Sequence, residues 1–242
     1  MSYTLTIRNV VFGDLDDPYY EVERGLQLDI LPSLKGSPVI ITGRHGSIDI
    51  RKYLETRDLN ISMVLDGEKE KDIEELKDEF LRVLDITGDP IPIVISEFEG
   101  YVFYTKVVSI DLTQWVNAVR LEIYLKMHDP YLYELDIHLL NGNGTIELNK
   151  EAVYHLELDG PATDPHITIG DTTLEFEGGV GSEETLTIKP DLITKGEENV
   201  LPFLYGDPPL LLPEGSTNIS TTDGTLKTYY RRRSVFPTKE VS

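Results

Sequence analysis

The chain has 242 residues, 40% hydrophobic and 27% charged, an ordinary globular balance with length for two modules of roughly 100 to 130 residues each. Its 43 acidic against 22 basic residues give a formal charge of -21, which opposes the phosphate neutralisation that tight nucleic-acid binding needs. The absence of cysteine excludes disulfides, thiol nucleophiles and every zinc site built on thiolates, so burial alone must hold the modules together.

The N-terminus, MSYTLTIRNVVFGD, alternates in polarity and has no central apolar run of the kind a signal peptide carries, so it reads as a first strand. Nothing later approaches the roughly 18 consecutive apolar residues of a membrane span; the most apolar stretch is the short Pro90 to Ile95. A soluble protein made in a cytoplasm, without membrane insertion, is expected.

Period-2 alternation then dominates. Tyr3, Leu5 and Ile7 face away from Thr4, Thr6 and Arg8, and Leu26, Leu28 and Ile30 face away from Gln27 and Asp29. Further strands are expected at Pro38 to Thr42, Ile48 to Tyr53, Arg57 to Val64, Ile91 to Ile95 and Tyr101 to Ile110, with turns such as Gly43-Arg44-His45-Gly46 between them. The clearest strand is Asn117 to Met127, where Val119, Leu121, Ile123, Leu125 and Met127 share one face.

One segment has a different period. From Glu68 to Leu84 the apolar residues Ile73, Leu76, Phe80, Val83 and Leu84 recur at spacings of three and four, predicting an amphipathic helix that covers a sheet face. Asp66 is the expected cap, Arg82 suits the C-terminal end, and Gly88 with Pro90 ends the helix.

A module boundary is expected between Asp129 and Leu140, before the turn cluster Asn141-Gly142-Asn143-Gly144. Beyond it the apolar pairs are shorter and closely spaced: Ile146 and Leu148, then Tyr154, Leu156 and Leu158, Ile167 and Ile169, Leu174 and Phe176, Leu186 and Ile188. Short strands at such spacing, with no helix signal, predict a β-sandwich of the jelly-roll kind. The fold class is therefore mostly β, a sandwich-like first module with one helix followed by a second sandwich.

The candidate chemistry is thin. Asp14, Asp16 and Asp17 could suit calcium, yet Tyr19 and Gly25 stand where an EF-hand loop needs Gly and Glu, so a solvated acidic turn is the better reading. His45, His128, His138, His155 and His166 have no HExxH or HxH spacing. Gly178-Gly179-Val180-Gly181 lacks the third spaced glycine and the following helix of a phosphate cradle, and reads as a β-turn. No GxSxG elbow or Walker motif is present, and no residue qualifies as the acid or nucleophile of a glycoside hydrolase. Catalytic, cofactor-binding and metal residues are accordingly none. Two features rise above background: the 13 tyrosines, often paired, and the single dense basic run Arg231-Arg232-Arg233 directly after Tyr229-Tyr230. Arg231, Arg232, Arg233, Tyr229 and Tyr230 are the candidate subunit or partner contacts, because aromatic rings with polar tips suit interfaces and guanidinium forks match the carboxylates of an acidic neighbour. A solvated strand end is the alternative for the arginines.

Several of these segments together resemble the distal tail protein family of long, non-contractile-tailed bacteriophages. In the first module the resemblance rests on GRHG at Gly43 to Gly46, the single helix, and the run LEIYLKMHDPYLYE that closes the module. In the second it rests on GPATDPHITI from Gly160, ETLTIKPD from Glu184 and the loop LPEGSTNIS from Leu212, where Pro213 to Asn218 is longer than the family's compact Pro-Gly-x-Asn turn. The resemblance implies a ring-forming tail module over residues 1–135 and a galectin-like sandwich over 136–242. It further implies a homohexameric ring that continues the tail tube and joins it to the tail-tip hub and receptor-binding proteins. DNA would pass through the lumen without specific binding, and the protein would be made in the host cytoplasm and reside at the virion's tail tip. A carbohydrate-binding adhesion protein, acting through tyrosines of the second module, is the other reading.

Overall fold

In a computed structural model, the structure describes residues 3–13, 19–23, 27–28, 32–40, 47–67, 72–84, 89–98 and 100–235. The chain divides into two compact units, Met1–Leu132 with Val235–Ser242, and Tyr133–Ser234.

The first unit contains β1 (Leu5–Ile7), β2 (Val10–Phe12), β3 (Tyr20–Val22), β4 (Gln27–Leu28), β5 (Leu34–Ile40), β6 (Ser47–Leu54), β7 (Arg57–Asp66), α1 (Ile73–Leu84), β8 (Ile91–Ile95), β9 (Tyr101–Gln114) and β10 (Ala118–Met127). Its centre is the antiparallel ladder of β7 with β10, ten residues in unbroken register, in which Met63 lies opposite Leu121, Ile61 opposite Ile123 and Leu59 opposite Leu125. Strict alternation puts all six of these on one buried face. Each such side chain contributes about 1.5–3 kcal/mol by burial. β3 and β4 pair with the outer side of β7. β9 pairs with β10 through its second half and with β8 through its first, so one strand serves two sheets. β8 continues to β1 and β2.

The helix closes this core from one side. Ile73, Leu76, Phe80 and Leu84 are buried, and Val83 packs partly buried against the same cluster. Phe80 meets Phe12 edge to face at 5.0 Å between ring centroids, Phe12 meets Tyr20 at the same distance, and the Tyr20 hydroxyl donates to the Leu76 carbonyl at 3.2 Å. Asp66 is not the cap the sequence suggested. It ends β7 opposite Ala118, and its amide donates to the Tyr19 carbonyl at 2.9 Å, so the β-ladder claims it; the described helix starts at Ile73. Arg57, at the start of β7, is wholly buried, and its Nη1 donates to the carbonyls of Pro130 at 3.2 Å and Val235 at 3.0 Å.

After β11 (Leu132–Glu134), which straddles the division, the second unit contains β12 (His138–Asn141), β13 (Gly144–Leu148), β14 (Ala152–Asp159), β15 (Ala162–Thr163), β16 (His166–Ile169), β17 (Thr172–Phe176), β18 (Gly179–Val180), β19 (Thr185–Lys189), β20 (Leu192–Lys195), β21 (Glu198–Asn199), β22 (Leu204–Tyr205), β23 (Gly215–Thr221) and β24 (Thr225–Ser234). One sheet runs β12-β24-β14-β19-β20-β21 and the other β13-β23-β16-β17-β22. Leu156, Leu158, Leu186, Ile188 and Leu226 from the first meet Ile167, Ile169, Leu174, Phe176 and Ile219 from the second in a core of their own, the two-layer arrangement of a β-sandwich.

Three elements differ from the sequence reading. The segment from Leu212, read as a loop, holds strand β23 from Gly215, and residues 225–234, where only a strand end at the arginines was offered, form the long strand β24 between β12 and β14. Only Leu226, Thr228 and Ser234 of β24 are fully buried, so hydrophobic alternation has almost nothing to display. Gly178 to Gly181, expected as a turn, contains the short strand β18, which pairs with β15.

Candidate interaction surfaces

The five residues singled out in the sequence lie on β24, and the structure ties them into the second unit. Arg232 Nε donates to Glu134 Oε2 at 2.8 Å, and the same oxygen lies 3.2 Å from His138 Nε2. Arg232 Nη1 reaches Asn149 Oδ1 at 3.3 Å. Arg233 places Nη2 and Nε on one oxygen of Glu151, at 2.6 and 3.3 Å, and Arg231 Nη2 reaches the Leu135 carbonyl at 3.5 Å. These charge-assisted bonds order the guanidinium groups.

The two tyrosines each stack on a histidine of a neighbouring strand. Tyr230 lies on His138 with ring centroids 5.1 Å apart, and Tyr229 lies on His155 at 4.6 Å with the rings only 9° from parallel. Burial holds the His155 imidazole below its ordinary pKa, with Lys189 adding to the effect and Glu157 opposing it. Burial also raises Tyr229, helped by its bond to Glu157. Beside them Lys227 donates to Asp159 at 2.6 Å, which raises the lysine and, with the Thr185 hydroxyl, lowers the carboxylate. Arg231, Arg232, Arg233 and Lys227 are thus each held by a protein oxygen.

Asp14, Asp16, Asp17 and His45 lie outside the described residues. Among the described residues no group of three or more His, Asp or Glu side chains is placed to hold a metal ion. His138, His155 and His166 each approach one glutamate, at 3.2, 3.9 and 3.6 Å respectively, and no second histidine. No described helix is long and apolar enough to cross a membrane.

In the first unit β10 is covered on both sides by β7 and β9. β9 pairs with β10 along its second half, from Lys106 to Gln114, and also pairs with β8 and β11. That half exposes Val108 and Leu112, and the β9–β10 turn exposes Trp115 and, at 96%, Val116. An open cleft of about 540 Å³ lies beside the turn, lined by Tyr19, Glu21, Val64, Asp66 and the turn itself. Its two carboxylates accompany no nucleophile or imidazole, so it carries no recognisable catalytic set. The sequence reading ended this strand at Ile110, because residues 111–114, exposed on both faces, have no single-face alternation.

These surfaces sit on a fold with known counterparts. Residues 16–127 match the family model of the phage tail protein RIFT-related domain. Among the solved structures that share the fold are phage components. The Dit (gp 19.1) protein of SPP1, a hub adsorption apparatus paradigm in phages infecting Gram-positive hosts, superposes with a TM-score of 0.74 at 13% identity, covering 97% of this chain and all of that one. A chain of the phage P2 baseplate, activated with Ca, gives 0.62 at 11% identity over 98% of this chain and 100% of its own. A chain of the Sr-activated p2 baseplate gives 0.60 at 10% identity, covering 97% of this chain and 99% of its own. No curated protein sequence matches the chain. The resemblance to distal tail proteins therefore holds, in the match over residues 16–127 and in the mostly β fold.

Proposed function

We propose that this chain is a structural, non-enzymatic component of a phage tail: a distal tail protein whose first unit closes with further copies into a hexameric ring at the tail tip. The whole-length likeness to the SPP1 distal tail protein carries this reading, and the phage-tail domain over residues 16–127 supports it. The exposed Val108 and Leu112 of β9 and Trp115 and Val116 of the turn after it offer an apolar surface of the first unit to a neighbouring copy. A head-to-tail contact between copies makes a ring when its rotation closes. The ring would join the tail tube to the hub and to receptor-binding proteins, with Arg231, Arg232, Arg233, Tyr229 and Tyr230 as contacts to a neighbouring subunit or partner. Part of the -21 charge would face the lumen and keep passing DNA from adhering.

Native mass spectrometry of the purified 27.4 kDa chain tests the reading. Six copies give a species of about 164 kDa on closed cyclic symmetry. A chain that stays monomeric even when mixed with its tail-tube and hub neighbours would sink the ring.

A further inference from the structure

The ladder of β7, β10 and β9 carries an apolar tip at one end and a small cleft toward the other. The tip is the β9–β10 turn, where Trp115 is 51% and Val116 96% exposed. Its base is closed, because the Trp115 amide donates to the Ala118 carbonyl at 2.8 Å and the Gly67 amide to the Asn117 carbonyl at 2.9 Å. Tryptophan is among the side chains that most often anchor an interface, and one ordered in advance loses little entropy when it is covered. Residues 112–119, LTQWVNAV, contain no charged side chain, although the chain as a whole carries a formal -21. Such a tip can approach a second copy of an acidic chain without setting carboxylate against carboxylate.

The cleft has a volume of about 360 Å³ and is lined by Asp58 and Asn60 of β7, Val108 and Ser109 of β9, and Tyr124 to Lys126 of β10. Register explains its shape. Asn60, Tyr124 and Ser109 stand side by side across three strands, and beside them β9 slips by one residue at Val108, which has no partner on β10. A bulge of this kind turns its extra side chain out of the ladder, and Val108 is 64% exposed. The Tyr124 hydroxyl donates to Glu122 Oε2 at 3.2 Å, which orients the ring. Lys126 lies 3.9 Å from Asp58, so the two charges of the lining balance. What fits such a lining is a neutral group with apolar faces and a donor at its edge. An indole is one: Val108 and the Tyr124 ring give it apolar contact, the Lys126 ammonium can lie over its face, and Asp58, Asn60 and Ser109 offer oxygens to its N–H. A cleft at the small end of the range that holds a drug-sized molecule has room for that ring with the Val116 isopropyl group beside it. The chain's own tip does not reach the cleft, since from Ser109 to Trp115 an extended strand runs about 20 Å.

We propose that the Trp115–Val116 tip of one copy seats in the cleft between Val108 and Tyr124 of the next, so that the contact repeats head to tail around the ring. Tip and cleft are unlike surfaces, and a contact of unlike surfaces passes from copy to copy until its rotation closes. This rests on the ring reading. The absence of cysteine makes the test direct. Val116→Cys and Ser109→Cys are combined in the full-length chain, which is mixed with its tail-tube and hub neighbours and oxidised with diamide. A disulfide needs its two Cα atoms within about 7 Å, which the two positions in one copy do not meet. The expected result is a ladder of reducible species reaching six copies on a denaturing gel, with neither single substitution going beyond the dimer. In the same mixture Trp115→Ser should lower the hexamer fraction in native mass spectrometry at least fivefold while the melting temperature of the chain stays unchanged. A hexamer whose double variant forms no bond between positions 116 and 109, a ladder that stops at two copies, or an undiminished hexamer in Trp115→Ser overturns this inference and leaves the ring standing. A chain that stays monomeric with those neighbours overturns both.

Discussion

At Gly160 an added Cβ would collide with the carbonyl oxygens of Gly181 and Val180, and both obstacles are backbone that cannot swing aside. Gly160→Ala should therefore cost about 1–3 kcal/mol, the range for overpacking, and urea denaturation of the second unit measures it. His155 offers a second residue-scale expectation. Its folded pKa lies below the ordinary imidazole value, so folding favours the neutral ring. The stability this gives is present above the unfolded pKa and is lost as pH falls through the folded one. Between pH 7 and 5 the second unit should lose more stability in the parent chain than in His155→Phe, which keeps a ring for Tyr229 to stack on; equal losses would contradict the assignment. The arginine run belongs to this scale as well. Arg231→Glu should lower the assembled fraction in native mass spectrometry if the β24 face meets a neighbour, with little change in melting temperature, since an exposed contact to a carbonyl contributes at most about 1 kcal/mol.

Among the elements, those legible in the sequence were those with one wet and one dry face. β7, β10 and β14 alternate over eight to ten residues and were read as strands before any fold was known. The helix was legible from its spacing of three and four, although its start was not: Asp66 looks like a cap in sequence but is held in the ladder by Ala118. β24 escaped because its neighbours are aromatic and charged residues that stack and pair above the sheet, which conceals a central strand behind a polar sequence. The candidate contacts were visible as residue types, but their pairing with Glu134, Glu151 and the two histidines depends on register between strands far apart in sequence. For the helix the expectation is quantitative. Phe80 is buried between α1 and the rings of Phe12 and Tyr20, so Phe80→Ala should cost about 3–5 kcal/mol.

On the scale of the whole chain, the two units have separate hydrophobic cores with no residue in common. Calorimetry of Phe80→Ala should accordingly lower one thermal transition and leave the other in place; a single transition that moves as one would show that the cores melt together. Their connection is less ordinary than their cores. Residues 133–234 leave the first unit and return to it, and one buried side chain marks both crossings, because Arg57 Nη1 holds the carbonyls of Pro130 and Val235 together. In the language of gene architecture, that guanidinium is a splice mark: it brings the two cut points of an insertion within bridging distance of a very short peptide. A chain with residues 133–234 exchanged for a few glycines should keep the helix and the cooperative melting of the first unit, and Arg57→Met in that shortened chain should loosen it. The first unit would then stand as a host into which other modules can be spliced at the same two positions.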